Sequence, residues 1–461
     1  MGYFPQWKLK EKGVVAPDER LPTGQTVAMG VQHVVAMFGS TILAPILMGF
    51  DPNMAVLMSG IGTLIFFAIV GGRVPSYLGS SFAFIGVVIA ATGYVAGSGL
   101  NGNIPVALGG IVVCGLVYCV VGLIVMLTGV KWIEKLMPPV VTGAVVAVIG
   151  LNLAPTACRS VGPTDFDAWM AVVTFMCVGG VAVWTRGFIQ KLLILIGLVI
   201  AYFIYAVLAN GFGMGKPIDF SIISNAAWFG VPTIHTPVFE MHAIALIVPV
   251  VIILVAENLG HVKAVTAMTG RNLDPYMGRA FLGDGIATML SGSFGGTGVT
   301  TYGENIGVMA ATRVYSTLLF PVAAIFAIIL GFSPKFGAVI QTIPQPVLGG
   351  TSIVVFGLIA VAGARVWVVN KVDFGNSRNL IVAAVTLILG GGDFTLNLGF
   401  FFFLLGPVNI VVSVAGGGNE TLTVILVMFH VGAIILNAVM SLGEPKEEKA
   451  SGEPIELDRK A

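Results

Sequence analysis

The chain has 461 residues, of which 56% are hydrophobic and only 10% charged, with a formal net charge of +1. Soluble domains carry about 25% charged residues, so this composition excludes one and points to a protein of the lipid bilayer. A near-neutral chain without a clustered basic face also excludes nucleic acid as a partner.

The charges gather at the ends: seven lie in residues 1–20 and ten in residues 444–461. Both ends read as solvated tails. Lys8, Lys10 and Lys12 stand where a signal peptide would have its apolar core, so none is expected. Between the tails, apolar runs able to cross a hydrocarbon layer recur about fourteen times. In chain order they are 26–48, 54–72, 80–96, 104–128, 138–157, 168–185, 191–209, 242–262, 280–296, 300–312, 315–333, 348–365, 379–392 and 422–441. Residues 400–415 are apolar but interrupted by Pro407, which suggests a re-entrant or interfacial segment. The fold class is therefore an all-α polytopic membrane protein.

Cytoplasmic loops hold the excess of Lys and Arg. With the N-terminus inside, the inner loops collect Arg73, Lys131, Lys135, Arg186, Lys191, Lys263, Arg271, Arg279, Arg313, Arg365, Lys371 and Arg378. The outer loops collect only Arg159, Lys216 and Lys335. Both termini are thus expected in the cytoplasm.

The third and tenth runs differ from the rest. Tyr77-Leu78-Gly79-Ser80-Ser81-Phe82-Ala83-Phe84 and Ser293-Phe294-Gly295-Gly296-Thr297-Gly298-Val299-Thr300-Thr301-Tyr302-Gly303 are too glycine-rich and polar for continuous lipid-facing helices. Interrupted segments at corresponding places in two halves point to a transporter site between inverted repeats. Seven crossings per half is an odd number, so tandem halves necessarily have opposite orientations.

Charged groups inside the membrane mark substrate or ion paths. Glu257 and His261 are four residues apart on a predicted helix, hence on one face. Glu304 begins the next helix after the second interruption, where a carboxylate also suits the positive end of the helix dipole. Two carboxylates can accept from N–H donors on a flat polar ring, and N–H groups of broken helices can donate to its carbonyls. A nucleobase such as uracil has that pattern, with Phe82 or Tyr302 as an apolar wall. Two acids in one dry cavity do not both ionise readily, so one holds a proton that could be linked to substrate movement, with His261 as relay. Gln32 and His33 of the first crossing brace the site or satisfy one another. Arg279 and Asp284 read as an interfacial pair, and Pro138-Pro139 as a helix start. His235, His242 and His430 receive no role. Cys114, Cys119, Cys158 and Cys177 read as small buried packing residues, with no metal-binding spacing.

Glu304-Asn305-Ile306-Gly307-Val308-Met309-Ala310-Ala311-Thr312-Arg313, Gln32-His33, Ala256-Glu257-Asn258-Leu259-Gly260-His261 and the Leu78 to Phe84 stretch resemble the motifs of the nucleobase-ascorbate transporters, also called the nucleobase-cation symporter-2 family. The resemblance implies fourteen segments in two inverted seven-segment repeats, with short β-strands in segments 3 and 10. It implies a core domain of residues 21–129 and 241–334, a gate domain of 130–240 and 335–443, and cytoplasmic tails of 1–20 and 444–461. It further implies an elevator-like movement, a homodimer and residence in the bacterial inner membrane.

Carried over by position, Glu257 and Glu304 hold the substrate, with backbone at Phe82 and Gly303, the Tyr302 ring, and Ser40 and Phe356 nearby. His261 and Glu257 couple the proton, and Gln32, His33 and Asn305 support the site. No cofactor beyond the coupling proton is implied. Three residues depart from the pattern: Asn258 replaces a histidine, Ser40 an alanine and Phe356 a tyrosine. The expected activity is proton-coupled import of uracil, with thymine and other nucleobases as further candidates. A purine transporter of the same fold is the near alternative, and an intramembrane metalloenzyme built on Glu257 and His261 the remote one.

Overall fold

A computed structural model describes residues 2–11, 13–95 and 99–391. Two short strands, β1 (Lys8–Leu9) and β2 (Glu19–Arg20), pair in parallel ahead of α1 (Thr23–Met48). α1 stops at Gly49, whose φ of 74° is the left-handed C-cap conformation that glycine adopts without strain. α2 (Pro52–Ile69) restarts at once: the Asp51 side chain accepts from the Asn53 N–H, and Pro52 takes the first position, where no N–H is needed.

The next stretch is a strand, β3 (Leu78–Ser80), followed by the short α3 (Phe84–Thr92). α4 (Ile104–Thr128), α5 (Lys131–Leu136), α6 (Pro139–Arg159) and α7 (Asp165–Trp184) follow, the last opened by a capping box between Thr164 and Asp167. α8 (Phe188–Lys191), α9 (Leu193–Ala206) and α10 (Ser221–Asn225) lead to α11 (Met241–Ile247) and α12 (Val251–Thr269). These two make one span, tightened at Val248–Val250, where Pro249 lacks an N–H. α13 (Met277–Phe294), β4 (Val299–Thr301) and α14 (Gly303–Thr312) precede α15 (Leu319–Gly331), which bends by 79° into α16 (Pro334–Gln341). α17 (Gln345–Val369) and α18 (Ser377–Gly391) complete the described chain.

Among the described residues, eight helices are long and apolar enough to cross a membrane, or nine if the bent pair is one span. α3, α13, α14 and α18, which occupy four further expected crossings, are shorter or more polar and fall outside that group. The expected crossing at 422–441, the apolar stretch at 400–415, His430 and the tail at 444–461 lie outside the described residues.

β3 and β4 pair antiparallel in the middle of the bundle, with Leu78 opposite Thr301, Gly79 opposite Thr300 and Ser80 opposite Val299. All six residues are buried. An open sheet edge in an apolar interior leaves backbone groups without partners unless side chains supply them. Thr63 of α2 does so for β3, its Oγ1 accepting from the Leu78 N–H at 2.9 Å. Thr288 of α13 does so for β4, accepting from the Val299 N–H at 3.2 Å and donating to the Val299 carbonyl at 3.0 Å.

Helices pack as α2 against α15, α4 against α13, α6 against α17 and α18, and α7 against α17. Small residues let these backbones approach closely.

Three sequence expectations need correction. The N-terminal stretch is packed and not merely solvated: Val15 is 0% exposed and forms a parallel bridge with Val314, Trp7 Nε1 donates to Thr317 Oγ1, and Asp18 pairs with Arg271. Its aromatic residues cover apolar surface at the end of α2, which hydration would leave bare. Cys158 is exposed, and only Cys114 and Cys119 are fully buried packing residues. Arg279 does not pair with Asp284; its guanidinium lies over the Tyr3 ring, while Asp284 is completely buried on the opposite side of α13.

A Cβ at Gly115 of α4 would stand 2.7 Å from the Met289 backbone N and 2.8 Å from the Gly285 carbonyl O of α13. Neither atom can swing aside. Gly115→Val should therefore cost about 1–3 kcal/mol by forcing α4 from α13. The expected reading is a lower melting temperature and less monodisperse protein on detergent gel filtration; wild-type behaviour in both would contradict the tight packing.

Candidate functional site

Both strands of the central pair run into helix starts, Phe84 after β3 and Gly303 after β4. After β3 the first N–H groups are taken up locally, Ala83 by Ser81 Oγ, Phe84 by the Ser81 carbonyl and Ile85 by the Phe82 carbonyl, whereas those opening α14 have no intrahelical partner. Glu304 occupies the first turn of α14, and Glu257 and His261 sit one turn apart on α12. Glu257, His261 and Glu304 are half-buried and Gly303 is exposed, although they lie amid buried elements, so they border an open space within the protein.

Hydroxyl groups position these side chains. Ser40 of α1 donates to Oε1 of Glu304. Ser81, just past β3, donates to Oε2 of Glu257 at 3.3 Å. His261 Nδ1 meets Thr301 Oγ1 at 2.9 Å, and its Nε2 lies on the side of Gly303, where a Cβ would approach it to 3.3 Å. Any side chain at 303 would thus intrude between His261 and the start of α14.

Tyr302 is 4% exposed, and its ring packs over Gly79. Its hydroxyl accepts from Thr41 Oγ1 at 3.0 Å and donates to the Ser80 carbonyl at 2.9 Å, which braces β3 against α1. Phe82 is half-buried and meets Phe356 of α17 edge-on, with ring centroids 6.3 Å apart. Asn305 Nδ2 donates to the His33 carbonyl at 3.0 Å and also meets His33 Nδ1 at 3.0 Å. Gln32 is half-buried beside His33 and makes no hydrogen bond to the acidic pair or His261 among the described residues. Of the residues without an expected role, His242 is exposed, and His235 lies over Gly295 at the end of α13.

Sequence reasoning missed one part of this region. Asn258 Nδ2 donates to Asp284 Oδ2 at 2.7 Å and to the Tyr118 hydroxyl at 3.1 Å, and all three residues are buried. The departure from the family pattern at Asn258 was the signal. An amide at that position supplies two donors, and both are used.

The fold agrees with solved membrane transporters. The transmembrane domain of the cyanobacterial bicarbonate transporter BicA superposes with a TM-score of 0.55 at 15% identity, covering 91% of this chain and 97% of that one. SLC26A9 superposes with a TM-score of 0.62 at 12% identity, covering 90% and 65%. Such low identities speak for the fold alone. The sequence pattern of the Permease family, Xan_ur_permease, matches residues 24–399. This chain belongs to that family.

The resemblance seen in the Gln32, Glu257 and Glu304 motifs is thereby borne out, and the chain is a multi-pass membrane permease, not an enzyme. It is 64% identical over 442 residues to RutG of Escherichia coli (strain K12), which carries the designation pyrimidine permease, with 95% of each chain covered. It is 44% identical to the uracil permease of Paenibacillus larvae and 41% identical to that of E. coli K12, covering 82% and 84% of this permease and 89% of each relative.

Asn258→Leu leaves the buried Asp284 carboxyl group without its amide donor, which should cost about 1–3 kcal/mol of stability. Adding Asp284→Leu, which removes the orphaned polar group, should restore part of the melting temperature. If the double variant melts no higher than Asn258→Leu alone, the Asn258–Asp284 bond is not what holds α12 to α13.

Proposed function

We propose that this permease is a proton-coupled symporter importing uracil, and with it thymine, across the bacterial cytoplasmic membrane. The observation that carries the reading is the placement of Glu257 and Glu304 beside an exposed Gly303 at the start of α14. Two acceptors and a set of helix N–H donors then face one opening, and uracil presents ring N–H groups alternating with carbonyls. The pyrimidine and uracil permeases among its relatives support the same substrate class.

Glu257 and Glu304 bind the base. Backbone at Phe82 and Gly303 donates or accepts at its edge, with Phe356 closing the side toward α17. The Tyr302 ring and Ser40 shape the pocket from behind. Glu257 and His261 carry the coupling proton, and His33, Asn305 and Gln32 hold α1 against α14. No other cofactor takes part.

We also propose fourteen segments in two inverted repeats with both termini cytoplasmic. Numbering the crossings from α1, a shift by seven maps the α2–α15 pair onto α13–α4 and the α7–α17 pair onto α18–α6, which supports the repeat. Thr63 and Thr288 satisfy their strands in the same way, on α2 and its counterpart α13. Residues 21–129 and 241–334 then form a core that moves as an elevator against a gate of 130–240 and 335–443. The gate carries the homodimer contact.

Uptake of labelled uracil into proteoliposomes tests the whole reading. Accumulation should rise when the outside is made acidic and collapse with a protonophore. Glu257→Gln and Glu304→Gln should each lower accumulation to background, at least a hundredfold, because a lost charge-assisted contact and a lost proton site combine. Replacing His261 should leave exchange of uracil across the membrane while abolishing its dependence on the pH gradient. Full gradient-driven uptake by the Glu304→Gln protein would remove that residue from the site.

A further inference from the structure

Hydroxyl side chains inside helices usually turn back to a carbonyl of the preceding turn. Thr92, Thr174, Thr351 and Ser352 all do so here, donating to Val88, Met170, Val347 and Leu348 at 2.7 Å each. Ser40 does not. It is 1% exposed, so its hydroxyl has no bulk water to turn to, and its donor reaches across to Glu304 of α14. The neighbouring residues of α1 act on the same stretch: Thr41 donates to Tyr302, and His33, two turns earlier on that face, holds Asn305. Residues 302, 304 and 305 are thus each tied to one helix.

We infer that Ser40 is a positioning residue that fixes the Glu304 carboxyl group and turns Oε2 toward the transported base. The inference rests on the transport reading above and deepens it. A carboxylate torsion at the end of a glutamate side chain is broad and nearly two-fold, so an unheld group has to be ordered when the ligand arrives. Ser40 occupies Oε1 beforehand, which leaves the other oxygen as the acceptor for a ring N–H. Ser40 touches no ligand itself, and its effect passes through Glu304.

The test is initial-rate uptake of labelled uracil in proteoliposomes with matched amounts of protein, together with calorimetric uracil binding to the detergent-purified protein. S40A should raise KM and Kd about tenfold, the worth of a hydrogen bond to a charged group, while the maximal rate stays within about twofold. S40T, which keeps a hydroxyl, should restore KM toward the wild-type value. Should S40A fail to insert, S40C offers a nearly isosteric side chain with a weak donor, and it should raise KM in the same sense. A wild-type KM in S40A, or a loss confined to the maximal rate, overturns the assignment and leaves the transport reading intact. Wild-type protein that binds uracil without accumulating it sinks proton-coupled import alone, since the Kd of S40A still decides the role of Ser40. Wild-type protein that neither binds nor carries uracil sinks the substrate assignment and the inference with it.

Discussion

The structure depends on a three-residue antiparallel strand pair held in the middle of a helical bundle. Extended backbone at that depth is tolerated only if every N–H and C=O finds a partner within the protein. The ladder between β3 and β4 satisfies the inner edges, and Thr63 and Thr288 supply side-chain partners on the outer ones. Because the strands are so short, two helices have to begin beside them, and at the start of α14 the first N–H groups are left without intrahelical partners. A polar site in an apolar bundle follows from this arrangement, since the same interruption that needs hydroxyl partners also creates donors for a ligand.

Placing two carboxyl groups there is costly unless they are hydrogen-bonded. The hydroxyls of Ser40 and Ser81 meet one each. Asp284 is a third acid, fully buried, and its partner is the Asn258 amide, next in sequence to Glu257. Adjacent residues on a helix point about 100° apart, so Glu257 can face the opening while Asn258 faces α13. One stretch of α12 thereby serves both the site and the packing that holds it.

The sequence made the acidic pair, His261 and the two interruptions legible because each breaks a local rule: charge or glycine where lipid-facing helix should continue. Even the strand residues carry a local mark, the β-branched Val299-Thr300-Thr301. What stayed hidden was set by distant pairing. Asp284 lies five residues from Arg279, close enough to suggest a pair, yet α13 presents the two to different neighbours. Ser40 and Glu304 are 264 positions apart, and nothing local to either shows that their side chains meet. The packed N-terminal stretch was likewise concealed, since its charges read as solvated although Val15, Tyr3 and Trp7 are its anchors. The bend between α15 and α16 falls at Phe332-Ser333-Pro334, where the Ser333 cap and Pro334 start a new helix; a sum of hydropathy over that window passes straight through it.

Those N-terminal anchors also bear on how the molecule could move. Tyr3 donates to carbonyls at the end of α2, Arg271 of the α12–α13 connection holds Asp18, and the connection from α14 to α15 pairs with Val15. Each of these points lies in the half proposed above as the core, and the N-terminal stretch ties them together. Contacts across to the other half are sparser and, at Phe82 and Phe356, consist of an aromatic edge against a face. Dispersion between rings has little directional demand compared with a hydrogen bond, so such a surface can slide with small loss at each step. The elevator proposed above still has to part at least one polar link between the halves, the ion pair of Lys263 on α12 with Glu134 on α5 at 2.7 Å.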